Sequence, residues 1–221
     1  MNYAMNLEQA RFNMIEQQIR PWDVLDAHVL YLLSLVKRED FVPIAHKALA
    51  FVDMEVPLLG GQVMLAPRVE ARLLQDLGVQ KHEKVLEIGA GSGYMAALLA
   101  HRAQRVITLE IDARLAALAR SNLQMAGIYN AEVRHLDGAR DVPAEGPFDV
   151  ILLSGSVAEV PQSLLAHLKI GGRLGAIVGN EPMMRTTFVS RSGETQYRTS
   201  QPWDTVAPRL QNFPEPSSFK F

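Results

Sequence analysis

The chain reads as an α/β protein with a doubly wound, mostly parallel sheet that ends in an antiparallel hairpin and carries an N-terminal helical extension. Three observations predict this. Val85-Leu86-Glu87-Ile88 is a short apolar run that stops on Gly89-Ala90-Gly91-Ser92-Gly93 and passes into a helical pattern near Tyr94. Downstream, strand and helix patterns alternate, as a parallel sheet with crossover helices requires. Towards the C-terminus the alternation gives way to two extended runs on either side of Ser192-Gly193, a hairpin signal.

In chain order, helical spacing from Leu7 to Ile19 (Ala10 with Met14; Phe12 with Ile15 and Ile19) predicts a first helix that Pro21 stops. Asp26 suits the N-cap of a second, apolar helix through Val36. Arg38 to Pro43 reads as a connector and Phe51 to Leu59 as extended chain. Pro67 opens a helix to Leu77, where its missing N–H costs no intrahelical bond. Beyond the glycine turn, helices are expected over 93–101, 113–125 and 160–168, and strands over 105–110, 132–136, 148–153 and 172–178. The runs 186–191 and 194–199 form the hairpin, and the proline-rich tail after Pro208 reads as loosely ordered. With no internal repeat or long linker, residues 1–80 are expected to be an extension packed on a core spanning 81–221.

Composition narrows the function. At 221 residues and 48% hydrophobic, the chain can bury a full core as one domain without disulfides. The absence of cysteine excludes thiolate metal sites and a cysteine nucleophile, and six scattered histidines argue against a zinc cluster. A net charge of −2 gives no general attraction to nucleic acid or acidic membranes. The segment from Met1 to Arg11 lacks the apolar core of a signal peptide, and no apolar run approaches the ~20 residues of a membrane span. A cytoplasmic address is the expectation.

The glycine turn carries the chemistry. Gly89, Gly91 and Gly93 allow a tight turn and close backbone approach to a ligand, and the helix that follows points free N–H groups at it. A dinucleotide fingerprint needs its third glycine at position 94, which is Tyr94, so a nicotinamide dehydrogenase is disfavoured. The spacing is G-x-G-x-G preceded by Glu87, which resembles the first motif of the class I methyltransferases and implies S-adenosyl-L-methionine, with S-adenosyl-L-homocysteine as product. In that family the loop, here Glu87, Gly89, Ala90, Gly91, Ser92 and Gly93, packs on the methionine part. Two further strand-end acids agree. Glu110, 23 positions after Glu87 and followed by Ile111, stands where a ribose-binding acid belongs, and Asp137-Gly138 ends the next strand, where the aspartate can accept from the adenine amino group.

Flanking segments are specific to one family. Arg38-Glu39-Asp40-Phe41-Val42-Pro43, Pro57-Leu58-Leu59-Gly60-Gly61-Gln62 followed by Ala66-Pro67, Pro147-Phe148-Asp149 and Gly171-Gly172-Arg173-Leu174 resemble the protein-L-isoaspartate (D-aspartate) O-methyltransferases over about Arg11 to Gly179. The resemblance implies a Rossmann-like methyltransferase fold and methyl transfer to the carboxylate of isoaspartyl residues in damaged proteins. The chain departs from the pattern where that family has Thr-Ile-Ser after Gly-Gln. Here stand Val63, Met64 and Leu65, without a hydroxyl. Ser154 keeps a hydroxyl after the fourth core strand, where bacterial members commonly read Val-Thr-Ala-Ala.

A carboxylate with an ordinary pKa of ~4 is ionised at neutral pH, so its methylation needs no general base. Alignment in a near-attack pose can supply ~7–11 kcal/mol. The carboxylate, once desolvated, still needs donors, and each lost hydrogen bond to a charged group costs ~1.5–3 kcal/mol. Gln62 and Ser154 are the candidates to hold the acceptor. Two readings stay open: a carboxyl methyltransferase acting on isoaspartyl polypeptides, or a cofactor-binding relative with another acceptor or a sensor or scaffold role.

Overall fold

The computed structural model describes residues 3–215. The chain enters through α1 (Tyr3–Met14), a wide helical turn over Ile15–Ile19 and a tight one over Arg20–Trp22. The helix α2 (Ala27–Leu35) follows, capped by the Asp26 carboxylate, which accepts the His28 and Val29 N–H groups at 2.8 and 3.4 Å. Within 51–59 only β1 (Val56–Pro57) is a strand, paired antiparallel with β2 (Val63–Met64) across the turn that carries Gln62. Then α3 (Pro67–Leu77) runs from its proline to a left-handed Gly78.

The core contains β3 (Lys84–Ile88), α4 (Tyr94–Arg102), β4 (Arg105–Glu110), α5 (Ala113–Met125) and β5 (Ala131–His135). It continues through β6 (Phe148–Val157), α6 (Gln162–Leu165), β7 (Leu168–Asn180), β8 (Met183–Arg191) and β9 (Tyr197–Ser200). The seven-stranded sheet has the order β5-β4-β3-β6-β7-β8-β9, parallel through β7 and antiparallel thereafter. From β3 the chain winds outward to β4 and β5, then returns to the other side of β3 as β6. That reversal opens a crevice at the carboxyl ends of β3, β4 and β6, where ligands of such sheets bind.

Period-two alternation sorts the core into two layers. Val85, Val106, Val150 and Leu152 face the layer formed with α1 to α5, while Leu86, Ile88, Ile107, Leu109, Ile151 and Leu153 face the other. That second layer is covered by α6 and by irregular chain including Leu136, Ala139 and Phe213. Among the described residues no helix is long and apolar enough to cross a membrane.

Three expectations are corrected. The helix over 160–168 shrinks to four residues, because Pro161 precedes it without a side-chain cap and Leu168 is taken into the sheet opposite Phe148. The strand over 148–153 runs on to Val157, since Ser156 and Val157 pair with Ile177 and Val178 after a register shift. The tail is packed over 208–213, while 216–221 lie outside the described residues: Ser156 N–H donates to the Pro208 carbonyl at 2.8 Å, Leu210 N–H to the Ser156 carbonyl at 2.9 Å, and Phe213 is buried. Apolar side chains within the tail outweigh its proline content.

Candidate active site

Sheet register alone brings three site residues together. Thr108 lies directly across from Glu87 on β4, and Ser154 is one same-face step beyond Leu152, the β6 partner of Glu87. The fully buried Glu87 carboxylate accepts the Thr108 hydroxyl at one oxygen and the Ser154 hydroxyl at the other, both at 2.7 Å. Burial pushes this carboxyl up to about 8; the two hydroxyl bonds oppose the shift, and the nearby acids Glu70 and Glu110 add to it. Glu87 is therefore a support beneath the loop that can carry a proton at neutral pH.

The glycine loop is tied to β4. Gly89 and Ala90 donate their N–H groups to the Leu109 carbonyl at 2.9 and 3.1 Å. The Glu110 carboxylate accepts the Gly91 N–H at 2.8 Å and the Asp112 N–H at 3.1 Å. Gly91 has φ +52°, and a side chain there would press on Leu58. The glycine at 93 serves a different purpose: a Cβ would stand 3.2–3.3 Å from Ala119 on α5, so Gly93 sets helix packing. Ser92 likewise faces α5, its carbonyl accepting the Asn122 amide at 2.9 Å. At the end of β5, Asp137 accepts the Ala139 N–H at 3.0 Å, while a Cβ on Gly138 would collide with Ile88.

Gln62, Val63, Gly89, Gly91, Glu110, Ile111, Asp137, Gly138 and Ser154 line one cleft. Ala90 and Ser92 belong instead to a second, smaller cavity across the loop, with Val63, Leu65 and Glu70. Strand-end carboxylates that can accept from hydroxyl and amino groups, beside a loop open to close backbone approach, suit a cationic nucleoside such as S-adenosylmethionine.

The acceptor side rests on a network that the sequence reading missed. Arg38 is fully buried and forms an ion pair with Glu70 of α3, while its other terminal nitrogen donates to the Leu65 carbonyl at 2.8 Å. Its guanidinium also stands 5.1 Å from the Tyr94 ring centroid, and Phe41 meets that ring edge-on. Burial pushes the Glu70 carboxyl up to about 7 against the pull of Arg38. Arg38, at the start of the connector 38–43, thus holds the backbone at Leu65. The signal for Glu70 was its position on the apolar stripe of α3, with Leu74 and Leu77. Other segments of the family pattern hold the frame: Asp149 accepts the Lys84 N–H at 2.8 Å, and Arg173 makes a bidentate pair with Glu83 at 2.7 and 2.9 Å. On its other side, Leu65 borders a separate cavity of about 500 Å³ between α3 and the start of β8, lined by Met184, Trp22 and Trp203.

Comparison with known proteins gives a family and a fold. The family model for protein-L-isoaspartate(D-aspartate) O-methyltransferase matches residues 9–205. Protein-L-isoaspartate O-methyltransferase 1 of Syntrophobacter fumaroxidans is 38% identical over 196 residues, covering 89% of this chain and 92% of its own. The Rhodopseudomonas palustris protein-L-isoaspartate O-methyltransferase is 39% identical over 186 residues, covering 84% and 85%. The fold is shared with a Plasmodium falciparum chain, described as a beta-aspartate methyltransferase, solved with S-adenosyl-L-homocysteine. The TM-score is 0.79 at 19% identity, covering 91% of this chain and 98% of that one.

Proposed function

The chain belongs to the protein-L-isoaspartate(D-aspartate) O-methyltransferase family and is an S-adenosylmethionine-dependent methyltransferase, and from that premise we propose that it methylates the side-chain carboxylate of isoaspartyl residues in polypeptides. The observation that carries this reading is the single cleft in which the glycine loop and the acids of β4 and β5 meet Gln62 and Ser154. When bound, the cofactor supplies a methyl group on a sulfonium that a carboxylate oxygen can displace.

The chain's own residues would then bind and orient. In this reading Glu110 accepts from the ribose hydroxyls and Asp137 from the adenine amino group, with lone pairs left over from their backbone bonds. The acceptor polypeptide approaches past Leu65 from the cavity beside α3. Gln62 donates from its amide to the incoming carboxylate. Ser154 can do the same only when its proton is released from Glu87, and a Glu87 carboxyl raised to about 8 can itself hold a proton and donate. Val63 and Leu65 offer no donor, so turnover is expected to be low for the fold. Transfer of tritiated methyl to an isoaspartyl peptide, with the aspartyl isomer as control, tests the reading. Label that appears on the isoaspartyl peptide alone and is released by mild base as methanol supports it; no label on either directs attention to a different acceptor.

A further inference from the structure

The tail returns across the carboxyl edge of the sheet and enters the cleft just described. Its entry is anchored. Arg209 donates to the Gly179 carbonyl at 3.0 Å and to the Asn180 side chain at 2.6 Å, while Pro208 and Leu210 extend the end of β6 through Ser156. Beyond the anchor, Leu210 packs onto the glycine loop: its Cδ2 lies 3.0 Å from where a Cβ on Gly89 would be, and 2.8 Å from that of Gly155. Asn212, in a left-handed conformation at φ 64°, donates its amide to Asp137 at 2.8 Å, the carboxylate read as the adenine acceptor. Phe213 is buried in the layer that includes Ile88 and Leu109. With these side chains in place the cleft retains about 60 Å³, whereas small-molecule and cofactor sites span roughly 300–1,000 Å³.

We propose that residues 210–213 are an intramolecular plug: they compete with S-adenosylmethionine for its cleft and withdraw when it binds. The inference rests on the reading of this cleft as the cofactor site. Glycines that leave room for a ligand also leave room for Leu210, and the tail satisfies Asp137 by the same kind of bond that an amino group would make. Because the anchor at Arg209 holds the plug beside its seat, the apparent dissociation constant of the cofactor is the intrinsic one divided by the fraction of molecules with the plug out. A segment secured by the Leu210 backbone bond to Ser156, one side-chain hydrogen bond and two apolar side chains is a suitable size for such a reversible competitor.

Calorimetric titration with S-adenosylhomocysteine of the full chain and of Leu210→Ala/Asn212→Ala/Phe213→Ala tests this, with circular dichroism melts to confirm folding. The triple variant is expected to bind at least tenfold more tightly. Asn212→Asp, which sets a carboxylate against Asp137 and leaves the apolar side chains intact, should tighten binding in the same direction even if the triple variant folds poorly. In the unsubstituted protein, hydrogen exchange at the Leu210 amide should accelerate on saturation with the ligand. Equal or weaker binding by the variants, or greater protection of Leu210 in the complex, overturns the plug and makes the tail a wall of the site. If neither the full chain nor the variants bind, the cofactor reading of the cleft fails first, and the plug with it.

Discussion

Across one cleft, Glu110 spends its carboxylate on the Gly91 and Asp112 amides while Val63, on the acceptor side, presents only an aliphatic group, as does Leu65 in the smaller cavity beyond the glycine loop. The donor side is shaped by short-range geometry, with Gly89 following β3, Glu110 ending β4 and Asp137 two residues beyond β5. The acceptor side takes its shape from far along the chain, through a buried Arg38–Glu70 pair that grips the Leu65 carbonyl. The difference teaches that the two sides can diverge independently: acceptor residues can change identity while the buried pair keeps their backbone in place.

That dependence is the most severe test of the comparison. Arg38→Met leaves Glu70 buried without a partner, and removing one member of a buried ion pair costs ~3–5 kcal/mol. Urea unfolding should register a loss of that size, and the double substitution Arg38→Met/Glu70→Leu should recover much of it, because no uncompensated charge then remains. A single substitution that costs no more than the double would show that the pair does not hold the acceptor segment.

On the donor side the largest effect belongs to Gly91→Val. The residue sits at φ +52°, where β-branched side chains are strained, and its new side chain would press on Leu58. Affinity for S-adenosylhomocysteine should fall by at least about a hundredfold, ~2.8 kcal/mol, with the circular dichroism spectrum retained. Tight binding by a folded Gly91→Val protein would move the ligand away from this loop and undo the contrast between the two sides.

Legibility in the sequence follows the same division. The glycine turn, Glu110 and Asp137 could be read because each is local, a strand-end residue at a set distance from the one before. Both α3 and α5 were readable to their bounds from Pro67 and from apolar spacing. Arg38 to Pro43 reads only as a connector because nothing nearby shows that α3 will bury Arg38 against Glu70. The tail reads as loose because its prolines are local signals, whereas the burial of Phe213 depends on the ends of β3 and β4. The short α6 fails for a similar reason, its last turn being claimed by a strand partner, Phe148, twenty residues upstream of Leu168.

A smaller effect separates the buried carboxyl at the centre from the exposed acids around it. Burial raises Glu87 from an ordinary carboxyl value to about 8, so between pH ~4.5 and 8 the folded protein holds a proton that the unfolded chain has released. Its contribution to stability is full below the unfolded value and is lost as pH rises through the folded one. Glu70, raised to about 7, acts in the same direction over a narrower window. Glu87→Gln keeps the shape without the titration, so its urea midpoint should match that of the unsubstituted protein near pH 5 and exceed it near pH 8.5. The advantage should be on the order of 1 kcal/mol or more, since one proton is worth at most ~1.4 kcal/mol per pH unit. Parallel pH curves for the two proteins would mean that Glu87 is ionised throughout.

The acceptor side offers the finest adjustment. Val63→Thr with Leu65→Ser restores two hydroxyls on a backbone that Arg38 already fixes, so the change supplies donors with little rearrangement of the segment. Methyl transfer to an isoaspartyl peptide should rise by about tenfold in kcat/KM, equivalent to ~1.4 kcal/mol of transition-state stabilisation. The two positions differ in what they give up. Val63 is half-buried and nearly isosteric with threonine, whereas Leu65 is 6% exposed and loses packing of the kind that costs ~2–5 kcal/mol in Leu→Ala replacements. Rates must therefore be corrected for the folded fraction, and Val63→Thr alone serves as the variant in which stability is held. If turnover is unchanged in both, Gln62 and Ser154 suffice to orient the carboxylate. If transfer to the isoaspartyl peptide is absent in all three proteins, the aliphatic segment marks a different acceptor, and the donor side alone keeps the chemistry of the family.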